Sequence, residues 1–205
     1  MLYKTIFWIN FLIFSPAGIF LPGHWHRPAE TKKWIVSENS TLCVNGTTNV
    51  NKFACVILAY GQTDTLIITK GKNDKDVILT GSIALHIESF DCHNSIMTHD
   101  LRKTLKEKQF PLLHISFLSL SRVPELTAEP DAITGMVDIE IAGTRKRFEV
   151  KYQIYVDAQK VVHLLGSRDI NFTEFNLIPP RKLGGIIQTK DKLSVDFHLK
   201  MKVLS

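Results

Sequence analysis

Recognisable catalytic signatures are missing from this 205-residue sequence. It contains no Gly-x-Ser-x-Gly nucleophile elbow, no phosphate-binding glycine-rich loop and no His-Glu-x-x-His pair. These absences argue against a serine hydrolase, a P-loop nucleotide-binding protein and a zinc peptidase of the common types. We therefore predict that the protein is not an enzyme, and the sequence indicates no catalytic residue and no cofactor.

Metal-ligand spacing is also missing, although the chain has eight histidines. His86, His114, His163 and His198 each stand alone in a predicted strand, where a histidine is more often a surface residue than a ligand. The best metal candidate combines Cys92-His93 with His99, but a disulfide at Cys92 would remove its thiolate. The sequence therefore predicts no metal site.

A strong charge of one sign is absent, since 25 Lys and Arg oppose 20 Asp and Glu. The basic residues are scattered, and the longest basic run, Arg145-Lys146-Arg147, lies at a predicted hairpin. Nothing resembles a basic platform interleaved with aromatic residues, so we predict no nucleic-acid partner.

Cysteine is scarce, with three residues in the chain. Cys55 and Cys92 end two similar triplets, Phe53-Ala54-Cys55 and Phe90-Asp91-Cys92, at predicted strand edges. In an oxidising compartment this pair could close a loop, and we predict a Cys55–Cys92 disulfide with Cys43 free. The other two pairings, and three buried thiols, remain alternatives at this point.

One apolar run resembles a targeting segment. Lys4 provides a positive charge, Ile6 to Phe14 is apolar apart from one residue, and Ser15-Pro16-Ala17 offers small residues for cleavage. We predict a signal peptide over residues 1–17 and an N-terminal extension over residues 18–33; a buried N-terminal helix is the alternative. No cysteine follows the apolar core, so lipoprotein anchoring is not indicated.

Alternation of apolar and polar residues is what the chain has in abundance. Leu193 to Val203 alternates without a break, which places all apolar side chains on one face of a strand. The same pattern occurs in Ile133 to Ile141, Phe148 to Val156 and Val162 to Phe172, which are joined by short turns and so predict antiparallel neighbours. Four further strands are expected at Trp34 to Val44, Phe53 to Ala59, Ile83 to Phe90 and Leu112 to Leu120.

One helix interrupts the strands. Asn94 or Ser95 can cap it, and Ile96, Met97, Leu101 and Leu105 recur at helical spacing before Pro111. Two stretches, 71–76 and 178–185, have the composition of loops, the first being a polar hairpin tip. We predict an all-β fold, an eight-stranded antiparallel barrel with one short helix, in a single domain over residues 34–205.

The order of several segments resembles the YceI-like family. These segments are Trp34-Ile35-Val36, Gly46 to Phe53, Met97 to Leu105 with Phe110-Pro111, and Gly166 to Phe175 with Pro179-Pro180. Together they cover nearly the whole mature chain, and the two Phe-x-Cys triplets resemble its cysteine-bearing branch of secreted bacterial members. The resemblance implies a lipocalin-like barrel, periplasmic or secreted, that holds a long isoprenoid or similar lipid in its lumen.

The expected function is non-catalytic carriage or storage of this lipid-like ligand. The alternatives are a barrel enzyme acting on a hydrophobic substrate and a structural surface protein with a lumen filled by side chains. Transient membrane contact and a homodimer are both compatible with the carrier. The residues expected to bind the ligand share the inward phases of their strands: Phe117, Tyr152, Ile154, Leu164, Arg168, Phe172, Phe197 and Leu199.

Overall fold

The computed structural model describes residues 31–70 and 77–204. The expected signal peptide, residues 18–30 of the extension and the expected hairpin tip at 71–76 lie outside the described residues. The extension's last residues, from Thr31, already belong to the first strand.

Eleven strands and one α-helix make up the described chain. The strands are β1 Thr31–Val36, β2 Thr41–Thr48, β3 Lys52–Ile57, β4 Thr65–Lys70, β5 Val77–His86, β6 Leu112–Leu120, β7 Asp131–Ile141, β8 Thr144–Val156, β9 Val162–Asn171, β10 Arg181–Lys182 and β11 Ile187–Leu204. The helix is α1, Ser95–Thr104.

The strands close into an antiparallel barrel. Neighbours around the ring are β1, β4, β5, β6, β7, β8, β9 and β11, and β11 returns to pair with β1. The β2–β3 hairpin continues two of these eight strand positions. Strand β2 pairs with an earlier part of β11 than β1 does, and β3 in turn pairs with β2. The predicted all-β, eight-stranded barrel with one helix is confirmed.

Several predicted strand boundaries were wrong. The run from Trp34 to Val44 is two strands, because a turn at Ser37–Ser40 breaks it with a backbone hydrogen bond of 3.1 Å. The run from Ile83 to Phe90 leaves the sheet after His86 and continues as a 3₁₀ turn at Ile87–Ser89. Strand β4 was not predicted, since Leu66-Ile67-Ile68 is apolar on consecutive residues and gives no alternation.

Helix α1 lies at one end of the barrel, which we call the helix end. The Asn94 side chain accepts a hydrogen bond of 3.0 Å from the Met97 amide, which confirms the expected cap. Leu101 and Leu105 face the core. In the part of the chain that is described, no helix is both long and apolar enough to cross a membrane.

The opposite end of the barrel is solidly filled. Its inward side chains are almost completely inaccessible to water: Trp34, Val36, Leu66, Leu79, Ile154, Leu164 and Met201. The predicted inward faces are confirmed on β8, where Phe148, Val150, Tyr152 and Ile154 are buried and the residues between them are exposed. On β11 the alternation ends early, because Val203 is exposed.

Two pairs of neighbouring strand positions separate toward the helix end. Strands β8 and β9 pair from Val156–Val162 to Lys151–Ser167 and then diverge; we call this gap the split. Strand β5 pairs with β4 only as far as Thr80. Beyond it, no backbone pairing joins β5 to β3 in the described chain, and an isolated bridge links Val56 of β3 to Asp91; we call this gap the seam.

Candidate functional site

A narrow apolar cavity lies in the barrel between the filled end and the helix end. Its volume is about 50 Å³, which makes it narrow. We call this space the lumen cavity.

The walls of the lumen cavity come from both sides of the barrel. Four of the expected ligand-binding residues line it: Phe117, Arg168, Phe197 and Leu199. Most of the remaining lining is aliphatic: Leu42, Ile57, Ile83, Leu85, Ile115, Val137, Ile139, Val150, Ile170 and Val195. An almost wholly apolar wall suits a hydrocarbon chain.

Three other expected residues belong to the filled end of the barrel. Tyr152, Ile154 and Leu164 are buried there and do not line the lumen cavity. The Tyr152 ring meets the Phe197 ring edge-on, with centroids 5.9 Å apart. Burial raises the pKa of the Tyr152 hydroxyl, which has no hydrogen-bond partner among the described residues. These side chains form the floor beneath the cavity.

Phe172 lies elsewhere, and its expected strand position was wrong. Strand β9 ends at Asn171, and Phe172 begins a 3₁₀ turn to Phe175. The turn is held by a capping box in which the Asn171 amide donates to the Glu174 carboxylate at 2.6 Å. Phe172 lines a second, more polar cleft of about 270 Å³ at the helix end.

Arg168 brings a cation to the apolar wall at the split. Its Nη1 donates to the Glu149 carbonyl at 3.3 Å, and its guanidinium carbon lies 5.1 Å from the centre of the Phe148 ring. Its Nε is enclosed without a hydrogen-bond partner. Among the described residues no carboxylate forms an ion pair with it, so a salt bridge does not account for an arginine on this apolar wall.

The expected disulfide is present and holds the seam. Cys55 of β3 is bonded to Cys92, which follows the Asp91 bridge, and Cys43 is free. Arg102 of α1 donates hydrogen bonds to the carbonyls of Glu88 and Phe90, the latter at 3.0 Å, which attaches the helix to the turn after β5 on one side of the seam. With Cys92 bonded, the metal candidate at Cys92-His93 and His99 has no thiolate ligand.

Tyr60 is a cavity residue that the sequence did not indicate. It lies between β3 and β4 beside the seam, it is buried, and its hydroxyl donates to the Asp64 carboxylate. Burial, with the Asp64 carboxylate as a second cause, raises the pKa of this hydroxyl. Nothing in the sequence signalled it, because Tyr60 belongs to no periodic segment and reaches the cavity only through the bend after β3.

The expectation of isolated strand histidines was wrong for two of them. Pairing of β9 with β11 places His163 Nδ1 2.7 Å from His198 Nε2, and His163 Nε2 lies 3.0 Å from the Asp157 carboxylate. The Tyr155 ring stacks on His163. In the described ranges, no three His, Cys, Asp or Glu side chains are placed to hold a metal ion.

Comparison with solved structures supports the fold. A polyisoprenoid-binding domain from Saccharophagus degradans aligns with a TM-score of 0.60 and 9% identity, over 83% of this chain and 98% of that one. Burkholderia cenocepacia BcnA aligns with a TM-score of 0.57 and 13% identity, over 81% and 96%. No protein-family model and no curated protein sequence matches the chain. The structure thus has the barrel fold that the YceI-like resemblance implied.

Proposed function

We propose that the protein binds a long isoprenoid or similar amphiphilic lipid in the lumen cavity and carries or stores it without chemical change. The observation that supports this most directly is the narrow apolar cavity enclosed by the barrel. The solved structure from Saccharophagus degradans, which has the same fold, is described as a polyisoprenoid-binding domain.

Hydrophobic transfer alone can provide the affinity. Burying an alkyl or alkenyl chain stabilises the complex by about 0.8 kcal/mol per methylene. Ten such groups would contribute roughly 8 kcal/mol before the entropic cost of association is subtracted. No reaction is needed for such a ligand to remain bound.

The cavity has to widen when a long chain enters. Ligand pockets commonly enclose ~300 to 1,000 Å³, which is more than the volume of this cavity. Phe197 is the side chain best placed to move, because it is only partly buried and its ring lies over Gly166, which has no side chain. We infer that its ring turns aside when the ligand is bound.

Mass spectrometry of an organic extract from the natively purified protein tests the proposal. We expect a lipid of isoprenoid or comparable chain length in a stoichiometric amount. Absence of any lipid in the extract, together with failure to take up added geranylgeraniol, would show that the lumen is an ordinary core.

Tryptophan substitutions locate the ligand. Phe197→Trp adds volume inside the lumen cavity and should reduce the co-purifying lipid while the barrel stays folded. Phe172→Trp adds the same volume in the helix-end cleft and serves as the matched control, with lipid content expected to remain. The reverse result would place the ligand in the cleft.

The proposed location is the periplasm or the extracellular space. Disulfides persist in oxidising compartments, and the Cys55–Cys92 bond is consistent with such a compartment. The proposal includes a signal peptide over residues 1–17 that directs export. Reaction of the protein from its native compartment with a thiol reagent should modify Cys43 alone unless a reductant is added.

Transient contact with an anionic membrane is a further part of the proposal. The segment 178–186 exposes Ile178, Leu183 and Ile186, each more than two-thirds accessible to water. Arg181 lies between them, whereas the neighbouring Lys182 is paired with Asp100 at 2.5 Å. Exposed aliphatic residues beside a cation favour the surface of an anionic bilayer. The ligand would be exchanged there.

Vesicle flotation tests this contact. Replacing Ile178, Leu183 and Ile186 by serine should reduce flotation with phosphatidylglycerol vesicles. Leu58→Ser, at an equally exposed leucine outside this segment, should leave flotation unchanged. Equal flotation of all three proteins, or none with wild type, would remove membrane contact from the proposal.

A further inference from the structure

The split between β8 and β9 gives the lumen a polar site on an otherwise apolar wall. The two strands stay paired as far as Lys151 and Ser167. Arg168 is the next residue, and it has the inward phase of Ile170 while remaining partly accessible to water. One side chain therefore touches both the lumen cavity and the solvent side of the gap.

The hydrogen-bonding capacity of Arg168 is largely unused within the described chain. A guanidinium carries five N–H donors, and the Glu149 carbonyl accepts from Nη1 at 3.3 Å. Nε has no partner, and no carboxylate lies within ion-pair distance in the described ranges. The adjacent acid, Asp169, is already paired with Lys192 at 2.7 Å.

The Phe148 ring, which packs near Phe175, limits the orientation of the Arg168 guanidinium. The Phe148 ring lies beneath the guanidinium, and its centroid is 6.0 Å from that of Phe175. Stacking on a ring orients the planar fork while leaving its edge free for a ligand. Such an edge matches the two oxygens of a carboxylate or phosphate.

We propose that the bound amphiphile carries an anionic head group, a carboxylate or phosphate, and that Arg168 binds this head at the split. The hydrocarbon chain then extends from the split into the lumen cavity. This inference rests on the proposed lipid-binding function and names the head group that the same site selects. Partial exposure of Arg168 keeps the head within reach of water, so its charge is not fully desolvated.

Binding of two probes with the same hydrocarbon chain tests the head group. The delipidated full-length protein is titrated with geranylgeranyl monophosphate and with geranylgeraniol by calorimetry. Since a hydrogen bond to a charged group is worth more than a neutral one, the phosphate should bind roughly 10- to 100-fold more tightly. This preference should shrink at high salt.

Substitutions assign the preference to Arg168. Arg168→Gln should bring the two affinities within about threefold of each other, and Arg168→Lys should retain part of the preference because the charge remains. Lys151→Gln removes one charge from the exposed face of the neighbouring strand and should leave the preference intact. Circular dichroism melts establish that each variant is folded; if Arg168→Gln unfolds, Arg168→Lys and the salt dependence decide.

The outcomes separate this inference from the proposed function. Wild-type protein that binds neither probe contradicts lipid binding itself. Equal affinity for both probes, or an unchanged preference in Arg168→Gln, contradicts the anionic head alone. Inorganic phosphate should not displace the alcohol; tight binding of inorganic phosphate would mean that Arg168 serves a free anion and would overturn the proposal.

Discussion

The wall from β6 to β8 and the seam between β3 and β5 close the same barrel by different means. Within the wall, β7 and β8 pair without interruption from Asp131–Ile154 to Ile141–Thr144. At the seam, backbone pairing is reduced to the Val56–Asp91 bridge. The disulfide and a 3.0 Å contact between Gln62 and His86 supplement it.

The difference shows that a barrel can be closed by continuous hydrogen bonding or by a few specific contacts. A ladder distributes stability over many residues, so no single side chain is decisive. A seam concentrates stability in its few contacts, and each of them matters more. Single substitutions should therefore act more strongly at the seam unless they disturb the wall's backbone.

Removal of the disulfide should have the largest effect. The two cysteines are 37 residues apart, and the loop-entropy model gives a stabilisation of about 4 kcal/mol for a loop of this size. The double variant Cys55→Ser/Cys92→Ser should lose most of that free energy of unfolding in urea titrations. Cys43→Ser is the control and should change stability by less than ~0.5 kcal/mol. A double variant as stable as wild type would mean that the seam does not depend on its covalent bond.

A methyl group added inside the wall should have the next largest effect. A Cβ at Gly135 would lie 2.4 Å from the Ser119 carbonyl oxygen, so the backbone of β6 or β7 has to move. We expect Gly135→Ala to cost ~1 to 3 kcal/mol, as overpacking commonly does. Gly61→Ala, where nothing lies within 4 Å of the added atom, should be nearly neutral. Thermal melts of both variants make the comparison; equal stability would show that the wall yields easily.

Two buried tyrosines allow a matched test of the two regions. Tyr60 beside the seam donates its hydroxyl to Asp64, and loss of this bond in Tyr60→Phe should cost ~1 to 2 kcal/mol. Tyr152 belongs to the wall, and its buried hydroxyl has no partner in the described part of the chain. Tyr152→Phe should therefore be neutral or stabilising by up to ~1 kcal/mol. A destabilised Tyr152→Phe would reveal a bond to a bound molecule or water.

The smallest effect should be a pH dependence that arises where β9 pairs with β11. Burial first, then the charges of His163 and Lys200, lowers the pKa of His198. The unfolded chain, with a histidine pKa of ~6.5, therefore gains a proton that the native state resists as pH falls. Stability is lost below about pH 6.5 and levels off once the pH passes below the lowered pKa of folded His198.

His198→Gln should reduce this loss between about pH 7.5 and 5, as measured by melting temperature against pH. Asp157, whose pKa is lowered chiefly by its hydrogen bond with His163, loses its stabilising contribution only near and below about pH 4. The two groups are therefore separable. Identical pH profiles for wild type and His198→Gln would contradict the assignment.

The sequence predicted the wall better than the seam for physical reasons. Strands β7 and β8 are joined by a short turn and have one buried face, so alternation and local chain direction determine their register. Strand β4 has apolar residues on both faces, and the break at Ser37–Ser40 leaves no periodic signal. Both features lie where the chain bends to form the seam.

The site was predictable only in part. Inward phase correctly placed Phe117, Arg168, Phe197 and Leu199 on the cavity wall, because phase follows from strand geometry alone. It could not indicate that Tyr152, Ile154 and Leu164 fill the lower barrel, since that depends on how side chains from opposite walls meet. The His163–His198 contact likewise required the register between strands distant in sequence.

The position of strand β11 has a consequence for how the chain folds. It follows every other described strand, yet it pairs with β1, β2, β9 and β10. The edges of β1, β2 and β9 therefore stay open, and able to associate with other chains, until the final strand is in place. A chain that lacks the segment from Ile187 onward would expose these unpaired strand edges, and addition of the last strand covers them.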